Sequence, residues 1–562
     1  MNLRYPYRLG LFFCLSLGLI TFFALYPLAF LNPMYARWML VGDPSQHFFG
    51  FNFFLKEPWH FPPGNIENLN FPQGTSLVYT DSIPLLAIPL KLVFINGLFQ
   101  FHGPWILLCF LLQAGFAYHF LYQKNEDAIA SVLGSILFLL FPSFLMRGYE
   151  PRHYSCLAHF LIVWAIMTPK GKGLSLSWIT LLFLSLGIHF YFFYLNALIF
   201  LVTERSWLLQ PKNYKKTGVF AAVLICFFYL YGYFVIPISN SFDGGFGNYS
   251  MNLLSWINPR GLSITQINFP ARAEELFEGY QYLGLGTLLA ILALFLKAEN
   301  RAIARAQIFR FRNQPEAALL VFFALFSFSI CLSLGPIKLP EAITAPLYLL
   351  IFAFALRPLN QSYLRSFAYS IALLSFFIFS GHLLRSSGRA GWYLSYALIL
   401  WGLSYRPSRA LLLLAALIQF LDVAPLMLRI RHENEVLLSG NLESQQTYDH
   451  FLKDGLDAFV AKKETISLLE ISPADQIPVT DYALTHHLKI GPVYLARGNL
   501  SKPIRMWTER ERQKIATRSL ETSEIIATQD LSLFKSESSK DKLEFFKSGR
   551  YLFIKAKSIA QP

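Results

Sequence analysis

One apolar run follows another along this chain of 562 residues. About 20 consecutive apolar residues make a helix long enough to cross a bilayer. Such runs lie near 10–31, 103–122, 129–146, 155–169, 174–189, 191–203, 217–237, 281–297, 316–334, 344–357, 364–381, 391–404 and 408–422. The composition points the same way: 54% of residues are hydrophobic and 15% charged, against about 25% charged in soluble domains. A chain this apolar needs lipid as part of its solvent. The expected fold class is mainly α: a polytopic membrane helical bundle of about thirteen transmembrane helices, followed by a small C-terminal α/β soluble domain.

The formal net charge of +14 invites a nucleic-acid reading. The position of the charge excludes it: the excess sits in short loops between apolar runs, such as Lys170/Lys172 and Lys297/Arg301/Arg305/Arg310/Arg312, where Lys and Arg orient spans. The alternation of basic and neutral loops puts the N-terminus inside, if 82–101 dips into the membrane and returns. The run after Arg8 then reads as a retained first helix rather than a cleaved leader. Residues 1–425 form the expected membrane domain, with outer loops 32–81 and 238–280. Residues 440–562 form an extracytoplasmic domain. There, helix-like stretches (448–463, 505–523) alternate with strand-like runs (466–471, 524–530, 550–557). Cys14, Cys109, Cys156, Cys226 and Cys331 all fall in or beside apolar runs and read as small buried residues.

The first outer loop carries Gly42-Asp43-Pro44-Ser45-Gln46-His47. Asp43 suits a helix N-cap and Pro44 the first helical turn. The stretch 44–57 alternates apolar and polar residues, as a helix lying on a membrane surface would. A carboxylate at that position could also take a proton from an acceptor hydroxyl, and the two roles can coexist. Asp81, just before 82–101, either caps that segment or faces a cavity. The turn 141–153 sets Arg147, Glu150, Arg152 and His153 at the membrane boundary, where charge is costly unless paired or wet. They make a structural pair or a site for a lipid-linked phosphate. Arg385 and Arg389 flank an outer turn of small residues. They either snorkel or hold something anionic, since guanidinium forks match phosphate oxygens. Glu278 and Tyr282, in the second outer loop, complete the candidate substrate-binding set. The histidines show no metal spacing such as HExxH. No cofactor is expected, and a divalent metal stays an open alternative.

These stretches, in this order, resemble an uncharacterised bacterial branch of the GT-C class of membrane glycosyltransferases. The residues that carry the resemblance are Gly42 to His47, Tyr79-Thr80-Asp81-Ser82-Ile83-Pro84, Phe141 to His153, Glu278-Gly-Tyr-Gln-Tyr282-Leu-Gly284 and Arg385-Ser-Ser-Gly388-Arg389. The resemblance implies transfer of a sugar from a polyprenyl-phosphate-linked donor to a cell-envelope glycan, lipid or protein, on the outer face of the bacterial cytoplasmic membrane. Asp43 would be its base or acceptor-positioning residue. Arg385, Arg389, Arg152 and His153 would be its phosphate-side residues. Two other readings compete: a transporter or flippase of a lipid-linked substrate, and a non-catalytic envelope assembly protein.

Overall fold

The computed structural model describes residues 5–93, 98–236, 246–271, 278–330, 332–360, 363–439, 442–495, 501–535 and 542–557. Of the second outer loop, Asp243 and the pair Glu274-Glu275 lie outside these, as do Cys331 and Arg4. The protein is mainly helical, with a small sheet region near the C-terminus. It divides into two compact units.

The helical unit comprises Met1–Leu28, His102–Leu224 and Gly244–Asn434. Its first layer packs the helices Tyr5–Leu25, His102–Asn125 and Ala128–Leu139 against one another. Close approach is bought with small residues: a Cβ on Gly18 would stand 3.0 Å from the Phe110 carbonyl oxygen. Polar groups inside the layer find partners. The Tyr118 hydroxyl donates to the Tyr7 carbonyl oxygen at 3.0 Å, and Gln113 Nε2 donates to the Tyr396 hydroxyl at 2.8 Å.

The expected thirteen crossings are not confirmed by these helices. Among the described residues, three helices are long and apolar enough to cross a membrane: Tyr5–Leu25, His102–Asn125 and the one that starts at Arg409. A fourth results if Ala368–Leu383 and Ser387–Leu403, which meet at 113°, count as one span. Several other apolar runs fold as helices of 12–14 residues, among them Ala128–Leu139, Leu176–Ile188 and Phe190–Thr203. Such helices reach only about 18–21 Å, against a hydrocarbon core of about 30 Å. The apolar helices make this a membrane-associated protein. Three of the described cysteines, Cys14, Cys109 and Cys156, are buried as expected, whereas Cys226 is exposed on its helix.

The second unit comprises Ala29–Phe101, Ile225–Asp243 and Glu435–Pro562. The first outer loop therefore groups with the C-terminal residues, although the sequence reading attached it to the membrane helices. After the antiparallel pair β1 (Asn65–Ile66) and β2 (Thr75–Ser76) here, and the pair β3 (Ser333–Leu334) and β4 (Ile337–Lys338) in the helical unit, a five-stranded sheet anchors this unit, in the order β6 (Lys489–Gly491), β5 (Thr465–Leu469), β7 (Glu524–Thr528), β9 (Tyr551–Ala556), β8 (Leu543–Ser548). The pairs β5–β6 and β5–β7 are parallel, and β7–β9 and β8–β9 antiparallel. The sequence strands at 466–471, 524–530 and 550–557 correspond to β5, β7 and β9; β6, β8 and the helix Gln476–Thr485 lack a counterpart in that reading. Leu469, Ile526, Leu552 and Ile554 pack on one face with Ile515 of the helix Ser501–Thr517. Phe451 packs edge-on against Tyr551 and Phe553. The loop of the first segment adds to the sheet beside β6: Ile490 N–H donates to Asn68 at 2.8 Å, and Phe71 N–H donates to Ile490 at 2.9 Å.

The helix Gly42–Lys56 does not lie on a surface. Every residue from Pro44 to Leu55 is buried. Each fully buried Phe contributes about 1.5–3 kcal/mol, and Phe48, Phe49, Phe51, Phe53 and Phe54 all qualify. Asn52, one of the polar positions that gave the amphipathic pattern, is internally bonded instead. Asn52 Nδ2 donates to the carbonyls of Phe48 and Phe99, and its Oδ1 accepts from Phe99 N–H. Lys91, from the helix Pro84–Val93, donates to the Phe54 and Pro58 carbonyls at 2.5 and 3.2 Å. An ammonium at a helix C-terminus meets the negative end of its dipole, which explains a lysine in an otherwise apolar segment.

Candidate functional site

Asp43 sits in the first turn of the helix Gly42–Lys56, but it is not the N-cap. That position belongs to Val41, which makes no side-chain cap bond. The positive end of the helix dipole favours an ionised carboxylate there. Asp43 also lines a cleft of about 350 Å³ with Gln46, Phe49, Gln476, Thr480 and Tyr494. Among the described residues lining that cleft, Asp43 alone carries a charge. Gln476 is held in place: its Nε2 donates to the Ile471 carbonyl, and its Oε1 accepts from Tyr494 N–H.

Asp81 belongs to the same unit and is buried. Its φ of +52° lies in the left-handed region, which a non-glycine residue adopts at a cost of about 1–3 kcal/mol. The turn around it is bound to the Asp43 helix. Ser82 Oγ donates to the His47 carbonyl at 3.0 Å, and Thr80 and Ser82 press on Gly50, where a Cβ would meet Thr80 Oγ1 at 2.1 Å. A ring nitrogen of His47 and a carboxylate oxygen of Asp81 lie within 4.8 Å. The two sequence stretches of the first loop thus form one locus. His47 is the residue sequence reasoning missed as a site member, and its spacing of four from Asp43 on a helix was the available signal.

In the helical unit, three of the predicted residues converge. Glu278 accepts from Arg389 Nε at 2.9 Å and from Arg147 Nη1 at 3.0 Å, and its second oxygen accepts from Arg389 Nη2. All three side chains are almost fully buried. Burial pushes the Glu278 carboxyl upward. The Arg389 and Arg147 guanidinium charges outweigh that and hold it well below the usual carboxylate range, with His153 acting in the same direction. The Arg389 guanidinium lies over the Tyr191 ring and that of Arg147 over Trp392. Backbone contacts knit the same loops: Ser143 Oγ donates to the Tyr280 carbonyl and Gln281 Nε2 to the Gly388 carbonyl. Gly388 has no room for a side chain, since a Cβ would stand 2.8 Å from the Glu278 carbonyl oxygen.

The other predicted residues of this unit have different partners. Glu150 pairs with Arg260 at 3.3 Å and Arg152 with Glu433 at 3.4 Å. Arg152, like Asp81, has a left-handed φ, of +64°. The Tyr282 hydroxyl donates to Asp422 at 2.9 Å, away from the arginine cluster's carboxylate. Arg385 lies over the Tyr249 ring, and His153 is buried.

Residues 15–348 match a family model described as a domain of unknown function (DUF6311). No curated protein matches the chain.

Proposed function

The chain belongs to the DUF6311 family, and from that premise we propose that it is a GT-C-like membrane glycosyltransferase. It would move a sugar from a polyprenyl-phosphate-linked donor to a hydroxyl of a cell-envelope glycan, lipid or protein. The observation that carries this reading is the Asp43 carboxylate lining a cleft of about 350 Å³, a size within the range of about 300–1,000 Å³ common to small-molecule sites. In the reaction, Asp43 accepts the proton of the acceptor hydroxyl while the hydroxyl oxygen attacks the anomeric carbon. The bond from that carbon to the phosphate oxygen breaks, and polyprenyl phosphate leaves with the electron pair. Arg147 and Arg389 spend their charge on Glu278, so this reading assigns them to holding the loops. The protein is multi-pass in the bacterial inner membrane in this proposal, with the N-terminus cytoplasmic and Asp43 outside.

General-base contributions are about 10²–10⁴-fold. Asp43→Asn is expected to lower sugar transfer in membranes at least about a hundredfold while expression stays level. Transfer at the wild-type rate would remove Asp43 from the mechanism. Reporter fusions at 32–81 test the orientation, and a cytoplasmic signal there would end this reading.

One observation favours the second reading, a transporter or flippase of a lipid-linked substrate. Gln113, midway along the candidate span His102–Asn125, joins the buried Tyr396 hydroxyl, which in turn contacts His159 Nδ1 at 3.0 Å. Polar groups near a membrane midplane often mark a transport path. Movement of a fluorescent lipid-linked sugar across liposomes, without release of polyprenyl phosphate, is the outcome that reading requires.

A further inference from the structure

A second cleft, of about 950 Å³, lies wholly within the helical unit and is independent of the reading above. One wall is a single face of the helix Gly391–Leu403: Leu394, Ala397, Leu398 and Trp401 line it. Their spacing is i, i+3, i+4, i+7, one stripe of an α-helix. They are part-exposed, whereas the neighbouring Trp392, Tyr393, Tyr396, Ile399, Leu400 and Leu403 are buried. The helix is thus packed on its other sides and open along this stripe.

The cleft changes character along that helix. Three cations from three separate elements line it: Lys124 at the end of His102–Asn125, Lys170 in the loop after Phe160–Met167, and Arg310 in Ala298–Phe311. Trp401 and Ser404 also line it and lie at or just past the end of that helix, while Leu394 is near its start. Ten residues of helix separate Leu394 from Ser404, about 15 Å of rise. Among the described residues, no acidic side chain lines the cleft and none of its three cations forms an ion pair. Trp401 Nε1 donates to Gln307 at 3.0 Å, the half-apolar, half-polar setting in which tryptophan settles at a membrane–water interface.

We infer that this cleft binds an anionic phospholipid of the bilayer, with the phosphate near Lys124, Lys170 and Arg310 and one acyl chain along Leu398 and Leu394. A tail accounts for the open apolar stripe and an anionic headgroup for the unpaired cations. A soluble anion would leave the stripe wet, and an uncharged lipid would leave the cations without an anionic partner.

The test uses the full-length protein in detergent, titrated with phosphatidylglycerol or phosphatidylethanolamine and read by native mass spectrometry. Retention of phosphatidylglycerol is expected to exceed that of phosphatidylethanolamine about tenfold and to fall about tenfold in the triple variant Lys124→Gln, Lys170→Gln, Arg310→Gln. Ala397→Trp, which fills the cleft and keeps every charge, is expected to lower retention as well. It decides the matter if the triple variant fails to fold. Equal retention of the two lipids, or undiminished retention in the variants, overturns the inference. Displacement of the lipid by millimolar inorganic phosphate also overturns it, since the site would then recognise the anion and not the lipid.

Discussion

At the scale of single residues, the Arg147–Glu278–Arg389 cluster is the most consequential arrangement in the helical unit. Two guanidinium groups share one buried carboxylate. Desolvation of such groups costs several kcal/mol each and is offset only while the pairing is intact. Glu278→Gln leaves two buried cations facing a neutral amide. The expected loss is about 3–5 kcal/mol, visible as a lowered midpoint in chemical denaturation of the detergent-solubilised protein. Replacing all three by Met, Leu and Met is expected to cost less than the single change, and the reverse order would show that the pairing contributes little. A different buried acid contributes to pH dependence in the second unit. Glu511 has its carboxyl pushed up to about 7, first by burial and then by the charge of Glu524, although Lys514 stands 3.0 Å away. Between the unfolded value of 4.5 and about 7 the folded chain keeps a proton that the unfolded chain has lost. Stability from this group is therefore full at pH 4.5 and falls as pH rises toward 7. Thermal melts of wild type and Glu511→Gln at pH 5 and 7.5 are expected to converge at the lower pH and separate at the higher. Parallel curves would remove Glu511 from the linkage.

At the scale of elements, tight helix contacts depend on glycine. Gly286, in the helix Leu285–Leu296, faces the helix that begins at Arg409, and a Cβ there would meet the Ala415 carbonyl oxygen at 2.0 Å and the Gln419 nitrogen at 2.6 Å. Both are backbone atoms, so no rotamer change relieves the clash. The same contact is polar: Gln419 Oε1 accepts from Thr287 N–H, and its Nε2 donates to the Leu140 and Leu283 carbonyls. Gly286→Ala is expected to destabilise by about 1–3 kcal/mol through overpacking, while Gly218→Ala, where nothing lies within 4 Å, should leave stability level or slightly raised. Equal effects of the two in a thermal melt would contradict the packing argument. The elements also show why the span count rests on more than hydropathy. Hydropathy reads apolar character, which helices of 14 residues such as Phe190–Thr203 share with longer candidate spans, whereas a full crossing also needs about 20 residues of length.

At the scale of the whole molecule, chain order and spatial grouping diverge. The chain leaves the helical unit at Ala29 and returns at His102, and what it makes in between joins the residues after Glu435. Local signals made part of this readable. The strands β5, β7 and β9 were legible because short β-branched runs between polar stretches carry their own period. Lys489–Gly491 was too short to stand out; its partners are Thr465–Ser467 and the distant Asn68–Phe71. By itself, the sequence determined that this is a mainly helical, membrane-associated chain with a small sheet near its C-terminus, because apolar content and periodicity are local properties. Only the tertiary structure decided that Gly42–Lys56 is buried and not surface-lying, that Glu278 pairs with both Arg147 and Arg389, and that the Tyr282 hydroxyl bonds Asp422. Each of those outcomes is a competition among partners far apart in the chain, settled by which pairing leaves the fewest buried polar groups unsatisfied.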